Sequence, residues 1–287
     1  MMREITSTGN SLVKELRALA TSKKARQESG TFILEGWRGI ETLLAHDSRQ
    51  YKLEMLVVST DRKDDHPLRE AIQAYAARSG TDPAAAAGSA TSPGENRQDG
   101  VIDIIVLPDF VFSKISDVKN AQGILGVVRH IPAPFEFFPD TGRYLLLDAI
   151  RDPGNLGTLI RSAVGAGFDG VLLYGGCVEP FNPKVIRSTM GTFAFSGIWT
   201  ISRSDIDRLL ATGYELYATT GGDGDTLYET AFPKKTVLVI GSEAHGVSDE
   251  LMQLAARKIT IPLASECESL NAAVAGSICM FHIRHSV

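Results

Sequence analysis

Residues Tyr144-Leu145-Leu146-Leu147-Asp148 form an unbroken apolar run that closes on an acid; Pro153-Gly154 follows, and then a helical stripe of Leu156, Leu159, Ile160, Ala163 and Val164. A strand that is apolar at every position, not every second one, must be covered on both faces, as happens inside a parallel sheet flanked by helices. Further strand candidates at residues 170–174, 215–219, 236–241 and 258–262 are each separated from the next by a helix-length interval. This alternation predicts an α/β domain built on a parallel sheet and beginning near residue 143.

The chain has 287 residues, beyond the roughly 100–200 of one typical domain, so two domains are expected. Residues 10–20 place Leu12, Val13, Leu16, Leu19 and Ala20 at helical spacing, with Lys14, Glu15 and Arg17 turned away. A strand over residues 31–35, a helix over 37–45 and strands over 53–58, 101–107 and 124–128 complete a small α/β domain. Residues 131–142 hold three prolines and read as a linker, giving domains at 1–130 and 143–287. Between residues 78 and 100 the text turns to Ser, Gly, Thr, Asp, Pro and an alanine run, with little to bury, and predicts a mobile surface insertion.

A hydrophobic fraction of 44% with 22% charged residues suits a soluble globular protein. No apolar run of about 18 residues offers a membrane span, and the polar amino terminus lacks a secretory signal; a cytoplasmic protein is expected. Net charge is −5, yet the first 38 residues carry seven basic side chains against four acidic ones, a first hint of where an anion docks. Cys177, Cys267 and Cys279 show no CxxC pairing and no histidine at ligand spacing, so buried reduced thiols and no metal are expected.

Gly165-Ala166-Gly167-Phe168-Asp169-Gly170 matches the GxGxxG pattern of dinucleotide binding. In that motif the glycines leave a strand and open a helix, whose amino terminus faces the pyrophosphate. Here a helical stripe precedes them and the strand-like Val171-Leu172-Leu173-Tyr174 follows, so they read as a helix end and turn. An NAD-linked oxidoreductase is disfavoured on that ground.

Three other segments carry candidate chemistry. In Asp152-Pro153-Gly154-Asn155-Leu156-Gly157-Thr158-Leu159-Ile160-Arg161, Asn155 stands at a helix head, where its side chain suits capping, and Arg161 lies off the apolar stripe. In Ile240-Gly241-Ser242-Glu243-Ala244-His245-Gly246, two glycines permit close backbone approach around a carboxylate. In the third, Ile261-Pro262-Leu263 ends a strand, and Ser269-Leu270-Asn271 opens a helix with Ser269 as the expected cap, followed by small residues that allow close helix packing.

In this order and at these separations the segments resemble the three motifs of the SpoU (TrmH-like) family of RNA ribose 2'-O-methyltransferases, within the SPOUT superfamily. Arg187-Ser188-Thr189-Met190-Gly191 and residues 5–38, including Phe32-Ile33-Leu34-Glu35-Gly36, add to the likeness, which spans most of the chain except residues 78–100. Ser265 and Ala273 depart from the usual glycine and serine of the third motif, and His245 stands where the family varies.

The resemblance implies a carboxyl-terminal SPOUT parallel-sheet domain with a deep trefoil knot and a smaller, ribosomal-protein-L30e-like amino-terminal domain that binds the substrate. It implies S-adenosylmethionine as cofactor, with Thr219, Gly241, Ile261 and Leu270 as its contacts. It implies catalytic roles for Asn155, Arg161, Glu243, Ser269 and Asn271, a homodimer through the carboxyl-terminal domain, and RNA, first of all ribosomal RNA, as substrate. A ribose hydroxyl is a poor nucleophile and a guanidinium a poor base. Arg161 therefore acts either as a perturbed base or as a cation that steadies a phosphate and the developing alkoxide. A tRNA 2'-O-methyltransferase and a non-catalytic RNA-binding relative are the competing readings.

Overall fold

The computed structural model describes residues 2–46, 48–62, 65–78, 102–116, 118, 120–135 and 141–286. The insertion expected over 78–100 lies outside the described residues but for Arg78, and so does much of the linker. Contacts divide the chain into one unit of Met1–Ala133 with Phe181–Ala194 and another of Pro134–Pro180 with Phe195–Val287.

The first unit runs β1 (Met2–Glu4), α1 (Ser11–Thr21), α2 (Lys23–Ser29), β2 (Thr31–Glu35), α3 (Trp37–Ala45), β3 (Tyr51–Ser59), α4 (His66–Arg78), β4 (Asp103–Leu107), α5 (Asp109–Phe112) and β5 (Ile124–His130). Its sheet has the order β1-β4-β3-β5-β2, with β5 antiparallel to both neighbours and the other pairs parallel. Asn10 caps α1 by accepting the Leu12 N–H at 2.9 Å, and the apolar face foreseen in the sequence (Leu12, Val13, Leu16, Leu19) packs on Met55, Val57, Ile105 and Leu107. The following helix, α2, was not foreseen. Its Arg26 is buried and donates from Nη1 to the Leu19 carbonyl at 2.6 Å, while Lys24 pairs with Glu28 at 3.7 Å. The positive excess of the amino terminus is thus partly used within the protein, which weakens it as a marker of an anion site.

The second unit begins with β6 (Gly142–Asp148), α6 (Pro153–Gly165) and β7 (Gly170–Tyr174). The chain then makes the excursion that belongs to the first unit, including α7 (Pro183–Ser188). It returns for β8 (Gly197–Thr200), α8 (Arg203–Ala211), β9 (Glu215–Thr219), β10 (Asp225–Thr226), β11 (Lys235–Ile240), α9 (Asp249–Leu254), β12 (Arg257–Thr260) and α10 (Ala272–His285). The sheet is wholly parallel in the order β10-β12-β9-β11-β6-β7-β8. The apolar run that opens it is covered on both faces, with Tyr144 through Leu147 at most 1% exposed.

One interval departs from expectation: residues 220–234 hold β10 and a single 3-10 turn, Leu227–Glu229, where a helix was anticipated. The glycines of the false dinucleotide motif behave as read, since Ala166 ends α6, Gly167 takes φ +71° and Gly170 opens β7. The small residues of α10 serve close packing on α6: a Cβ on Gly276 would stand 2.5 Å from Leu159 Cδ2, and the Ser162 and Ser277 hydroxyls meet at 2.7 Å.

Within the first unit, Phe181 stacks on Phe32 with centroids 4.9 Å apart, and Phe193 meets Phe32 and Tyr51 edge-on at 5.7 and 5.0 Å. Arg187 pairs with Glu35 at 3.4 Å. His130 lies 4.5 Å from the Phe181 ring, and burial holds its imidazole below the usual histidine range. Such a group stabilises the fold fully above the unfolded pKa of about 6.5 and loses that contribution as pH falls through it, because the unfolded chain takes the proton first. Lowering the pH from about 8 to about 5.5 should therefore shift the urea midpoint of the wild type down further than that of His130→Phe.

The cysteines are free thiols of three kinds. Cys279 is buried as expected and pushed up to about 12 by that burial, Cys177 is half-buried, and Cys267 is exposed, contrary to expectation. No helix among the described residues is long and apolar enough to cross a membrane, and no group of three or more His, Cys, Asp or Glu among them could hold a metal ion.

Candidate active site

In the second unit the sheet has its switch point beside β6: the chain first builds β7 and β8 on one flank, then returns to build β9, β11 and β12 on the other. Ligands of open parallel sheets bind at the carboxyl ends of the strands near such a point. A cleft of about 770 Å³ opens on the flank of β6 built last, at the carboxyl ends of β9, β11 and β12 and the head of α10. Thr219, Gly241, Ile261 and Leu270, the four cofactor contacts implied by the sequence, all line it. Thr219 donates its hydroxyl to the Val239 carbonyl at 3.0 Å. Its side chain thus ties β9 to β11.

The loop after β11 is closed on itself. Ser242 and Gly246 exchange backbone hydrogen bonds at 3.0 and 2.8 Å, and a Cβ on Gly241 would fall 1.9 Å from the Gly246 carbonyl carbon. Only glycine fits at 241. Gly246 turns at φ +69°, and the loop presents Glu243 at its tip.

Asn155, Glu243 and Asn271 are brought together by three separate elements. The Asn155 amide donates to a Glu243 carboxylate oxygen, and its own Oδ1 accepts from Asn271 Nδ2 at 3.1 Å. Asn271 Oδ1 in turn accepts the Ala273 and Val274 N–H groups at 2.9 and 3.2 Å. The row has one sense: the free N–H groups at the head of α10 orient Asn271, which orients Asn155, whose amide hydrogens are left facing the carboxylate. The two side-chain bonds of the row are exposed and each adds only about 1 kcal/mol, so the row orders side chains more than it holds the fold together.

Two capping expectations are corrected here. Asp152, not Asn155, caps α6, accepting the Asn155 N–H at 2.9 Å, which frees the Asn155 side chain for the row. Asn271, not Ser269, caps α10; Ser269 lies in the loop before it and lines the cleft with Glu243 and Asn271. Arg161 is not part of this row. It is exposed on α6 and makes no hydrogen bond or ion pair with the described residues. Six helical residues set it about 9 Å along the axis and about 120° around it from Asn155.

The sequence reading passed over Thr220, Gly221, Thr260 and Cys267, which also line the cleft. The first three were open to inference, since they sit at the carboxyl ends of β9 and β12, the side on which open parallel sheets bind ligands. The cleft-lining residues include the carboxylates of Glu243 and Glu268 and no lysine, arginine or histidine.

A methylase of nucleic acid on a wholly parallel α/β sheet is the class this arrangement suggests, and comparison with known proteins bears it out. The model of the SpoU rRNA methylase family matches residues 142–281, and that of an MRM3-like substrate-binding domain matches residues 10–126. The chain is 30% identical over 284 residues to the Bacillus subtilis 23S rRNA (guanosine(2553)-2'-O)-methyltransferase RlmP, covering 99% of this chain and 100% of that one. It belongs to the SpoU rRNA methylase family. A crystal structure of an S-adenosylmethionine-bound rRNA methyltransferase from Sinorhizobium meliloti superposes with a TM-score of 0.79 at 30% identity, covering 99% and 97% of the two chains. The SpoU methyltransferase AviRb from Streptomyces viridochromogenes, solved with the same cofactor, shares the fold with a TM-score of 0.76 at 22% identity over 96% and 97%.

Proposed function

We propose that the protein transfers a methyl group from S-adenosylmethionine to a ribose 2'-hydroxyl of ribosomal RNA. The observation that carries this reading is the row Glu243–Asn155–Asn271 at the edge of the glycine-bounded cleft. The cofactor fits the residues present: the cleft has the volume of a small-molecule site, Gly241 admits no side chain where the backbone must approach, and its charged lining is acidic, matched to a sulfonium cation. When bound, the cofactor supplies an electrophilic methyl group.

The chain supplies the rest. Gly241, Ile261 and Leu270 hold the cofactor along backbone and apolar surface. Asn155, Asn271 and Ser269 order the ribose for in-line approach, and Glu243 fixes Asn155. Arg161 has a guanidinium exposed and without a partner among the described residues; we assign it to steady a phosphate and the developing alkoxide. The enzyme is a homodimer through this unit. Val274 and Phe281, one face of α10, are 49% and 44% exposed, and a second copy would cover them. The amino-terminal unit grips structured RNA, and the enzyme works with its RNA in the cytoplasm.

The test is transfer of labelled methyl to unmodified rRNA and, separately, tRNA. Label should enter a ribose of rRNA, and Arg161→Ala should slow transfer about 1,000-fold with cofactor affinity little changed. A near-normal rate for Arg161→Lys would rule out a base peculiar to arginine; label on tRNA alone would move the substrate assignment. No transfer despite RNA binding would leave an RNA-binding protein. In light scattering at micromolar protein the dimer mass is expected, and an active monomer would overturn the dimer.

A further inference from the structure

Asp148 is a carboxylate only 3% exposed at the carboxyl end of β6, and the proposed chemistry gives it no task. Burying a carboxylate is costly unless hydrogen bonds meet it. The local backbone is shaped around this one. Ala149, directly after it, takes the left-handed φ of 54°, a conformation costing a non-glycine residue about 1 kcal/mol or more. Directly after β7, Gly175 leaves the space the carboxylate fills, since a Cβ there would stand 2.4 Å from Asp148 Oδ1.

Asp148 Oδ2 accepts the backbone N–H of Ser248 at 2.8 Å. Ser248 is the far end of the loop that begins at Gly241, and it caps α9 by position without a side-chain bond. The loop is therefore pinned at three points: Gly241 leaving β11, the Ser242–Gly246 bridge and the Asp148 carboxylate. Its tip, Glu243, is exposed and reaches the rest of the row only through the Asn155 amide.

Resting on the active-site reading above, we propose that Asp148 is a positioning residue for methyl transfer: by accepting the Ser248 N–H it holds the 241–248 loop so that Glu243 meets Asn155. It acts through Glu243 and touches neither cofactor nor RNA. A carboxamide keeps an acceptor oxygen at the same place, so Asp148→Asn preserves the bond and Asp148→Ala deletes it. Ser248→Pro deletes the donor with Asp148 intact, and Ser248 already has the φ of −61° that proline requires.

The experiment measures single-turnover methyl transfer to an in vitro transcribed 23S rRNA and S-adenosylmethionine affinity by calorimetry. The variants are Glu243→Ala, Asp148→Ala, Asp148→Asn, Ser248→Pro and Asp148→Ala with Glu243→Ala. Glu243→Ala is expected to slow transfer about 100-fold, Asp148→Ala and Ser248→Pro at least about 10-fold, and Asp148→Asn less than about 3-fold; the double variant should be no slower than Glu243→Ala alone. Multiplicative losses in the double variant, or an Asp148→Asn as slow as Asp148→Ala, would overturn the proposal. A normal rate for Glu243→Ala would instead overturn the reading of the site. Should Asp148→Ala lose its native circular dichroism, Ser248→Pro and Asp148→Asn decide by the same criteria.

Discussion

Gly241→Ala should abolish S-adenosylmethionine binding. The added methyl would lie 1.9, 2.1 and 2.1 Å from the Gly246 carbonyl carbon, the Gly246 oxygen and the Val247 nitrogen. All three are backbone atoms, so no rotamer change relieves the overlap, and the 242–246 bridge must open. That moves the wall of the cleft and its Glu243 tip together. A loss of at least about 100-fold in affinity, near 2.7 kcal/mol, is expected by calorimetry. The loop lies at the surface, so the thermal midpoint should fall by only a few degrees. Affinity within about threefold of wild type would mean that the cofactor does not depend on this loop.

Asn155→Asp should cost more than Asn155→Ala, although aspartate is the closer match in shape. Alanine removes a donor and an acceptor. Aspartate sets one carboxylate against another, because the amide it replaces donates to Glu243, and it also offers Asn271 an acceptor that does not restore the Glu243 contact. Near neutral pH the pair repels and the loop tip swings out, with an expected loss of about 1,000-fold in single-turnover rate against about 100-fold for alanine. Equal rates for aspartate and alanine at 155 would mean that Glu243 and residue 155 do not meet in the working enzyme.

The carboxyl-terminal strands were legible because residues buried on both faces must be apolar without interruption, and Leu145–Leu147, Val171–Leu173 and Val237–Val239 satisfy that locally. The four residues expected to contact the cofactor all fall in one cleft. What escaped was settled by tertiary competition. Asn155 and Asp152 are both good caps, and no local pattern says that Asp152 takes the helix while Asn155 is drawn to a glutamate 88 positions away. Asp148 read as the polar end of a strand, since its partner lies 100 residues on. The short edge strands β1, β8 and β10 are too brief to show a period of their own. Arg26 counted toward the basic excess of the first 38 residues because nothing in its neighbourhood announces that its target is a backbone carbonyl.

The excursion of residues 181–194 bears on how such a protein can be recombined. These residues lie in the chain between β7 and β8 of the parallel sheet, yet Phe181 and Phe193 complete the aromatic cluster of Phe32 and Tyr51 in the other unit. A gene cut in the linker would separate neither half cleanly: the leading fragment would carry a hydrophobic socket without its plug, and the trailing one a plug without its socket. Grafting a foreign RNA-binding module in front of this methylase sheet would therefore require replacing residues 181–194 together with it, so the two parts make a matched pair and not interchangeable cassettes.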